Sequence, residues 1–476
     1  MNIIAKHIDS RPPESEGHID YPHSKAQSLL VYEGAFANIF ILMTGGVFLT
    51  GLALFFNAND FAIGMLVAAP FLMQFAQLLS PYFYGKAAAP KNRIAVTLAA
   101  SRMIWIIIIP LLFVSGEWRL PVLLVTILVS GLLAMISTPP WLSWMAETIP
   151  DDIRGRFFSR RNVAVAITTL ACTILGSLVL DISKESGQAG RGFAIIIVLG
   201  LCGAALAYKA MLKIPNTIAV EIKDRIIKPD FLAPLRDKSF RRILVVLGAW
   251  NSAIGLSAAF FAPHMLLNLK MTFFEIGLYT CATSIIAIFS STVWGRLVDR
   301  FGSKQILNLC AFGIGFIPII WLFPTSSSTW ILIPEAVYSG LLWAGFNLAA
   351  FTLPLDRSPK SNRTVYLSVF AAITGITFFG ASLLAGVIAE KLSGWSYEIA
   401  GYAFINYHLL FVLSAVARLL TAGLITSFRE SSELRLPVMI QIMGYAVLRK
   451  MSIGRQLFPF AIDSSNKTIK SETSRE

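Results

Sequence analysis

Twelve stretches of about 20 apolar residues succeed one another along this 476-residue chain, near 34–56, 61–84, 94–114, 120–145, 162–182, 192–212, 243–266, 274–294, 305–323, 330–354, 365–388 and 399–427. A helix needs about 20 such residues to cross roughly 30 Å of hydrocarbon, and inside a bilayer only helices and closed barrels satisfy their own backbone groups. The expected fold is therefore all-α and integral to a membrane, with twelve transmembrane helices. Composition agrees: 14% of the residues are charged and 55% hydrophobic, where a soluble domain carries about 25% charged. A soluble enzyme is excluded.

A net charge of +13 would suit nucleic acid, but the 40 Lys and Arg are not gathered into a patch. They punctuate the apolar stretches instead. With both termini cytoplasmic, the inside segments hold 32 of these cations, the outside loops 5, and three (Arg102, Lys209 and Arg418) fall within apolar stretches. Short loops rich in Lys and Arg stay inside, so this asymmetry orients the chain, most simply in the cytoplasmic membrane. The first 28 residues are polar, without the apolar core of a signal peptide. The four cysteines, Cys172, Cys202, Cys281 and Cys310, sit in apolar stretches without metal-type spacing and read as packing residues.

The chain repeats itself. At an offset of 209, Ser130-Gly131-Leu132-Leu133 falls on Ser339-Gly340-Leu341-Leu342, Glu147 on Asp356 and Arg154 on Arg363; at 213, Phe61, Ile63 and Gly64 fall on Phe274, Ile276 and Gly277. Each copy holds six helices, so the copies enter the membrane in the same sense, as two parallel six-helix repeats. The expected organisation is a cytoplasmic tail over 1–28, a six-helix bundle over 29–212, a basic linker over 213–242, a second bundle over 243–427 and a cytoplasmic tail over 428–476.

After the eighth stretch comes Gly295-Arg296-Leu297-Val298-Asp299-Arg300-Phe301-Gly302-Ser303-Lys304. It resembles the Gly-x-Leu-x-Asp-Arg-x-Gly-x-Lys loop of the major facilitator superfamily, and the duplicated twelve-helix pattern matches that family over about residues 30–428. The resemblance implies that Gly295, Asp299, Arg300, Gly302 and Lys304 form a gating latch. The equivalent loop of the first copy, residues 85–93, has no acid. Two further loops, with Glu147 before Arg154 and Asp356 before Arg363, suggest a pair of pseudo-symmetric ion-pair hinges or a generic anchor on the anionic inner leaflet.

Charges within the apolar stretches each need an account, since one near the bilayer centre costs at least about 2.5 kcal/mol on insertion scales. Lys209 and Arg418, one offset apart, are expected to snorkel to the inner face. Glu335, beside Pro334 and without a counterpart in the first copy, is the leading candidate to carry a coupled proton. Glu33 is second, and Arg102 is the counter-charge of either. A carboxyl group that is alternately wet and dry can load and release a proton. His264 and His408 read as hydrogen-bonded packing residues.

By resemblance, helices 1, 4, 7 and 10 line a central cavity. The candidate substrate wall is then Asn38 and Thr44, Thr138, Trp141 and Trp144, Asn251, Ser252 and Ser257, and Tyr338, Trp343 and Asn347, with Pro139-Pro140 expected to interrupt helix 4 beside them. Trp and Tyr next to amides suit a small amphipathic solute. The function read from the sequence is a secondary active transporter of a small organic solute by alternating access, either proton-coupled or a passive uniporter, with a transporter-like receptor as the alternative. No P-loop, His-Glu-x-x-His or Gly-x-Ser-x-Gly pattern occurs. Cofactor, metal and catalytic residues are expected to be absent, and the protein to be a monomer.

Overall fold

Hydrocarbon offers a backbone amide no water, so each apolar stretch closes its hydrogen bonds on itself as helix. The computed structural model describes residues 21–84, 91–149, 154–214, 230–359, 362–399 and 402–426, and it contains twelve helical spans long and apolar enough to cross a membrane. Spans 1 to 6 are Lys25–Phe55, Asp60–Tyr84, Lys91–Leu111, Arg119–Leu142, Arg160–Glu185 and Ala189–Lys213. Spans 7 to 12 are Lys238–Asn268, Phe273–Phe301, Ser303–Ile320, Thr329–Arg357, Arg363–Lys391 and Asn406–Ile425. An even number of crossings leaves the beginning of span 1 and the end of span 12 on one face, the termini face; the opposite one is the far face. Large apolar side chains such as Phe289, Ile182 and Leu420 stay exposed, a hazard in water and the natural surface in lipid.

The duplication governs the packing. Span 1 packs on spans 5 and 6, and span 3 on spans 4 and 6; in the second half span 7 packs on 11 and 12, and span 9 on 10 and 12. The halves meet through two equivalent pairs, span 2 with span 11 and span 5 with span 8. Lipid supplies no hydrophobic force between helices, so small residues that allow close approach decide where they pack. At the first pair Gly64 lies against Ser382 and Gly386; at the second, Gly277 lies against Ser177 and Thr173. Gly64 plus 213 is Gly277, and Ser177 plus 209 is Gly386, so one contact is the copy of the other.

Helix starts repeat as well. The side chain of Asn59 accepts from the backbone N–H of Ala62 at the start of span 2, and 213 residues on Thr272 caps span 8 in a reciprocal box with Glu275. Each cap satisfies amides that a helix start leaves without partners.

Several boundaries differ from expectation. Helix is already present at Tyr21, within the segment expected as a tail, and at Lys238, within the expected linker. Linker residues 215–229 and the tail from 427 onward lie outside the described residues. Span 12 begins at Asn406 rather than near 399, because Ser396–Ile399 and Tyr402–Ile405 pair as an antiparallel hairpin; their aromatic and β-branched residues favour strand over helix. Helix runs unbroken from Arg119 to Thr148 through Pro139-Pro140, contrary to the expected interruption. Prolines remove two hydrogen bonds there, and neighbouring helices tolerate the loss. Cys281 and Cys310 are buried packing residues, whereas Cys202 is exposed.

Candidate substrate cavity and the interface between the halves

The interruptions lie elsewhere. In span 1 one α-helix ends at Met43 and another begins at Gly46, whose φ of +54° suits a residue without a side chain. In span 7 the α-helix ends at Ala258, followed by the short turn Phe261–Pro263 and a π-turn, His264–Asn268. Gly46 plus 213 is Ala259, so the two breaks are repeat-related. They border one cavity of about 860 Å³, lined by Thr44, Gly45 and Gly46 from one break and Ala258, Ala259 and Phe261 from the other. A broken helix exposes backbone groups, and such breaks persist at membrane depth where they line a cavity or are buried in protein.

The cavity extends along span 1 from Gly46 toward the termini face as far as Glu33, a run of about 20 Å at 1.5 Å per residue. There Glu33, only 2% exposed, lies 3.9 Å from Arg102 of span 3 and 3.6 Å from Arg161 of span 5. The Arg161 guanidinium also stacks over Trp141 at 5.3 Å. Gly34 makes the arrangement possible, since a Cβ there would sit 2.6 Å from Arg161 Nε. Asn38, one turn above Glu33, donates to Thr169, Thr168 and the Val165 carbonyl of span 5 at 2.9–3.2 Å, fixing span 1 on span 5 beside the charges. The rest of the wall is largely aromatic and aliphatic, with Phe40, Phe71, Trp105 and Met265 among it.

Of the expected substrate wall, Asn38, Thr44, Thr138 and Trp141 line this cavity, as do the coupling candidates Glu33 and Arg102. Arg102 is the counter-charge of Glu33. Trp144, Asn251, Ser252, Ser257, Tyr338, Trp343 and Asn347 are not on its lining. Asn251 donates back to Leu247 O, Ser252 to Thr377 O and Tyr338 to Gly313 O, and Ser257 donates to Ser414. Trp343 stacks edge-on with Phe346, Trp144 packs in apolar clusters, and Asn347 is exposed.

Glu335 is likewise off this cavity, 2% exposed within the second half, where the Tyr279 hydroxyl donates to it at 2.6 Å. His264 and His408 lie with ring centroids 5.2 Å apart, near Trp321 and Phe411. Both ring nitrogens of His264 lack a hydrogen-bond partner, so the expectation of a hydrogen-bonded packing histidine fails there. Arg418 corrects another expectation. It is 1% exposed and donates to Ser257 at 3.0 Å; twelve residues into span 12, it is walled in by span 7 and does not snorkel. Lys209, its repeat partner, is exposed.

On the far face the halves are joined by polar contacts that no sequence motif announced. Asp181, near the end of span 5, accepts from the backbone N–H groups of Phe273 and Phe274 at 2.9 and 2.7 Å, at the start of span 8. Glu390, near the end of span 11, accepts from the backbone N–H of Asp60 at 3.0 Å, at the start of span 2. Asp181 plus 209 is Glu390, and Asp60 plus 213 is Phe273: one carboxylate-to-helix-start bond is the copy of the other. A carboxylate at a helix N-terminus gains from both the free amides and the helix dipole. Asp60 adds a local feature, accepting from Tyr407 at 2.5 Å and Asn406 at 3.1 Å at the start of span 12.

The termini face contrasts with this. Asp299 lies in the last turn of span 8, exposed and without a hydrogen bond or ion pair among the described residues. Gly302, with φ of +86°, makes the turn into span 9; Gly295 and Arg300 lie within span 8 and Lys304 lies in the first turn of span 9. Asp356 accepts from Ser303 at 3.5 Å, while Arg363 donates to Ser358 at 3.3 Å. The expected Asp356–Arg363 pair is not formed. The side chains of Glu147 and Arg154 lie outside the described residues.

The two halves of the described chain thus form two repeat-related bundles around a shared cavity, which defines a polytopic membrane protein. Residues 243–458 match the sequence pattern of the Major Facilitator Superfamily, and the chain has that superfamily's fold. Among solved structures, the nucleoside transporter NupG aligns with a TM-score of 0.59 at 14% identity, over 86% of this chain and 98% of that one. A D-xylose–proton symporter aligns at 0.60 and 15% identity, over 87% and 98%. A bacterial homologue of the iron transporter ferroportin, in its inward-facing state, aligns at 0.59 and 17% identity, over 85% and 97%. No curated protein matches at the sequence level.

Sequence signals for the missed residues exist. The offsets of 209 and 213 link Asp181 to Glu390 and Asp60 to Phe273. Arg161 reads with the loop cations because it adjoins Arg160 at the beginning of an apolar stretch; only its direction against span 1 distinguishes it.

Proposed function

We propose that this protein is a secondary active transporter that carries a small organic solute by alternating access, with the two six-helix halves rocking about the cavity. The observation that carries the reading is the pair of copied far-face bonds, Asp181 to span 8 and Glu390 to span 2. Bonds joining opposite halves at one face, with Asp299 on the other face making no hydrogen bond or ion pair among the described residues, fit one end state of a rocking pair. The charge asymmetry between loops makes the termini face cytoplasmic, so the state described is closed to the outside.

The cavity favours an organic solute. Its wall is mostly aromatic and aliphatic, and its polar end carries two guanidinium groups and one carboxylate, a poor donor set for a metal cation. For coupling, two acids compete: Glu33 on the cavity and Glu335 packed against Tyr279 away from it.

Locking the far face tests the reading. Cysteines replacing Asp181 and Phe274 in an otherwise cysteine-free protein should cross-link spans 5 and 8. In proteoliposomes the linked protein should bind ligand but lose counterflow, and reduction should restore it. Full turnover with the cross-link intact would sink alternating access.

A further inference from the structure

The charged end of the cavity is not neutral. Glu33, Arg102 and Arg161 are the ionisable side chains on its lining among the described residues, two cations and one anion. The distances from Glu33 to the two arginines, 3.9 and 3.6 Å, are ion-pair distances beyond those of good hydrogen bonds. Glu33 Oε2, Arg161 Nε and Trp141 Nε1 accordingly have no hydrogen-bond partner although each is shielded from solvent.

Two of those three atoms are donors, and each guanidinium brings five N–H groups. One carboxylate cannot satisfy them. Leaving buried donors unpaired costs about 1 to 3 kcal/mol each, and the excess positive charge adds to that. What the site lacks is an acceptor that carries one negative charge. Beside it run Phe40, Trp105 and Phe71, an apolar wall without further charge.

We propose that the transported solute is an amphipathic organic monoanion, whose oxyanion group docks between Arg102 and Arg161 beside the Trp141 indole while its apolar body lies along the aromatic wall toward the helix breaks. This rests on the cavity being the transport site. The planar fork of Arg suits carboxylate and phosphate oxygens alike, so the shared chemistry is a singly charged oxyanion. Glu33 serves as an internal competitor: it pairs at ion-pair distance with the two guanidinium groups and is the group the solute's anion partly replaces.

The test is thermal stabilisation of the purified full-length protein by matched probes. The anions are benzoate, 4-phenylbutyrate and diphenyl phosphate; the controls are benzamide, 4-phenylbutyramide and 4-phenylbutylamine. Dose-dependent stabilisation by at least one anion, with none by its uncharged or cationic match, supports the proposal, and carboxylate against phosphate shows which oxyanion is preferred. Arg161→Gln should abolish the effect, and Arg161→Lys should keep a weaker one. Glu33→Gln should tighten anion binding by about tenfold or more, since a close buried charge is removed, whereas a purely structural Glu33 would give weaker binding.

Stabilisation by amide or amine equal to that by anion, or by none of the anions, overturns the monoanion, and the comparison on the unaltered protein stands even if a variant fails to fold. Proteoliposomes separate this from the transport reading. Uptake of a neutral solute with no anion binding would leave the transporter and remove the proposal; anion binding with no movement of any bound probe would leave an oxyanion-binding site and remove both the transport reading and the anion as transported solute.

Discussion

Asp181 and Glu390 stand 209 residues apart and make equivalent contacts, Asp181 accepting from the amides of Phe273 and Phe274 and Glu390 from that of Asp60, each at the first turn of a helix in the opposite half. A duplicated chain joins its halves on the far face with two copies of one contact. Opening that face must break both, so they act together rather than as independent surface bonds. Hydrogen bonds to charged groups contribute about 1.5 to 3 kcal/mol each.

Asp181→Asn and Glu390→Gln should therefore each shift the balance toward the far-open state by roughly tenfold or more. A single cysteine at Thr280, on the cavity wall, should label faster from the far side with a membrane-impermeant reagent in either variant. Unchanged labelling in both would remove these residues from the gate.

Gly375 of span 11 should tolerate no side chain, because a Cβ would collide with the Phe71 carbonyl of span 2. Gly375→Ala forces the halves apart at a rigid backbone atom, and overpacking of this kind costs about 1 to 3 kcal/mol. The variant should fold, lose thermal stability and slow turnover; Gly380→Ala, where a Cβ meets open space, should do none of these.

Asp299→Asn should leave thermal stability of this state unchanged, since Asp299 has no partner here among the described residues. If Asp299 latches the opposite state, the substitution should bias Thr280 labelling away from far-open and reduce turnover while leaving ligand affinity intact. A drop in stability of the far-closed form would show that Asp299 works here instead.

Glu335→Gln and Glu33→Gln separate the coupling candidates. The acid that carries the proton, once replaced, should abolish accumulation driven by a pH gradient and preserve counterflow, because exchange needs no deprotonation in each cycle. Tyr279→Phe, which removes the 2.6 Å bond to Glu335, should lower stability by about 1.5 to 3 kcal/mol without touching the cavity. Retained accumulation in both acid variants would rule out both as the proton carrier, whereas no pH-driven accumulation by the unaltered protein would leave a uniporter.

Orientation is tested by cysteines at Asn57 and Ser326, both exposed on the far face, and at Ser239, exposed on the termini face. The first two should label from outside intact cells and the third only after permeabilisation. Ser303 would be a poor choice, being buried against Thr352 and Asp356.

The sequence by itself determined the twelve spans, their pairing into two copies and the asymmetry of charge between loops. These follow from local length and composition, because a bilayer demands a continuous apolar helix wherever the chain crosses. It also marked Glu33 and Arg102 as charges needing an account. Only the tertiary structure decided which charges meet. Arg161 reads as a loop cation until Gly34 lets it lie against span 1, and Arg418 reads as a snorkelling cation until span 7 covers it. The helix breaks moved for the same reason: Pro139-Pro140 stays helical where neighbours support it, while Thr44–Gly46 and Ala259–Phe260 give way where the backbone borders a cavity. A pair such as Glu33 with Arg161, or Asp181 with Phe273, depends on how helices distant in sequence rotate and approach, which small residues and close packing set and which no local pattern of apolar and polar residues specifies.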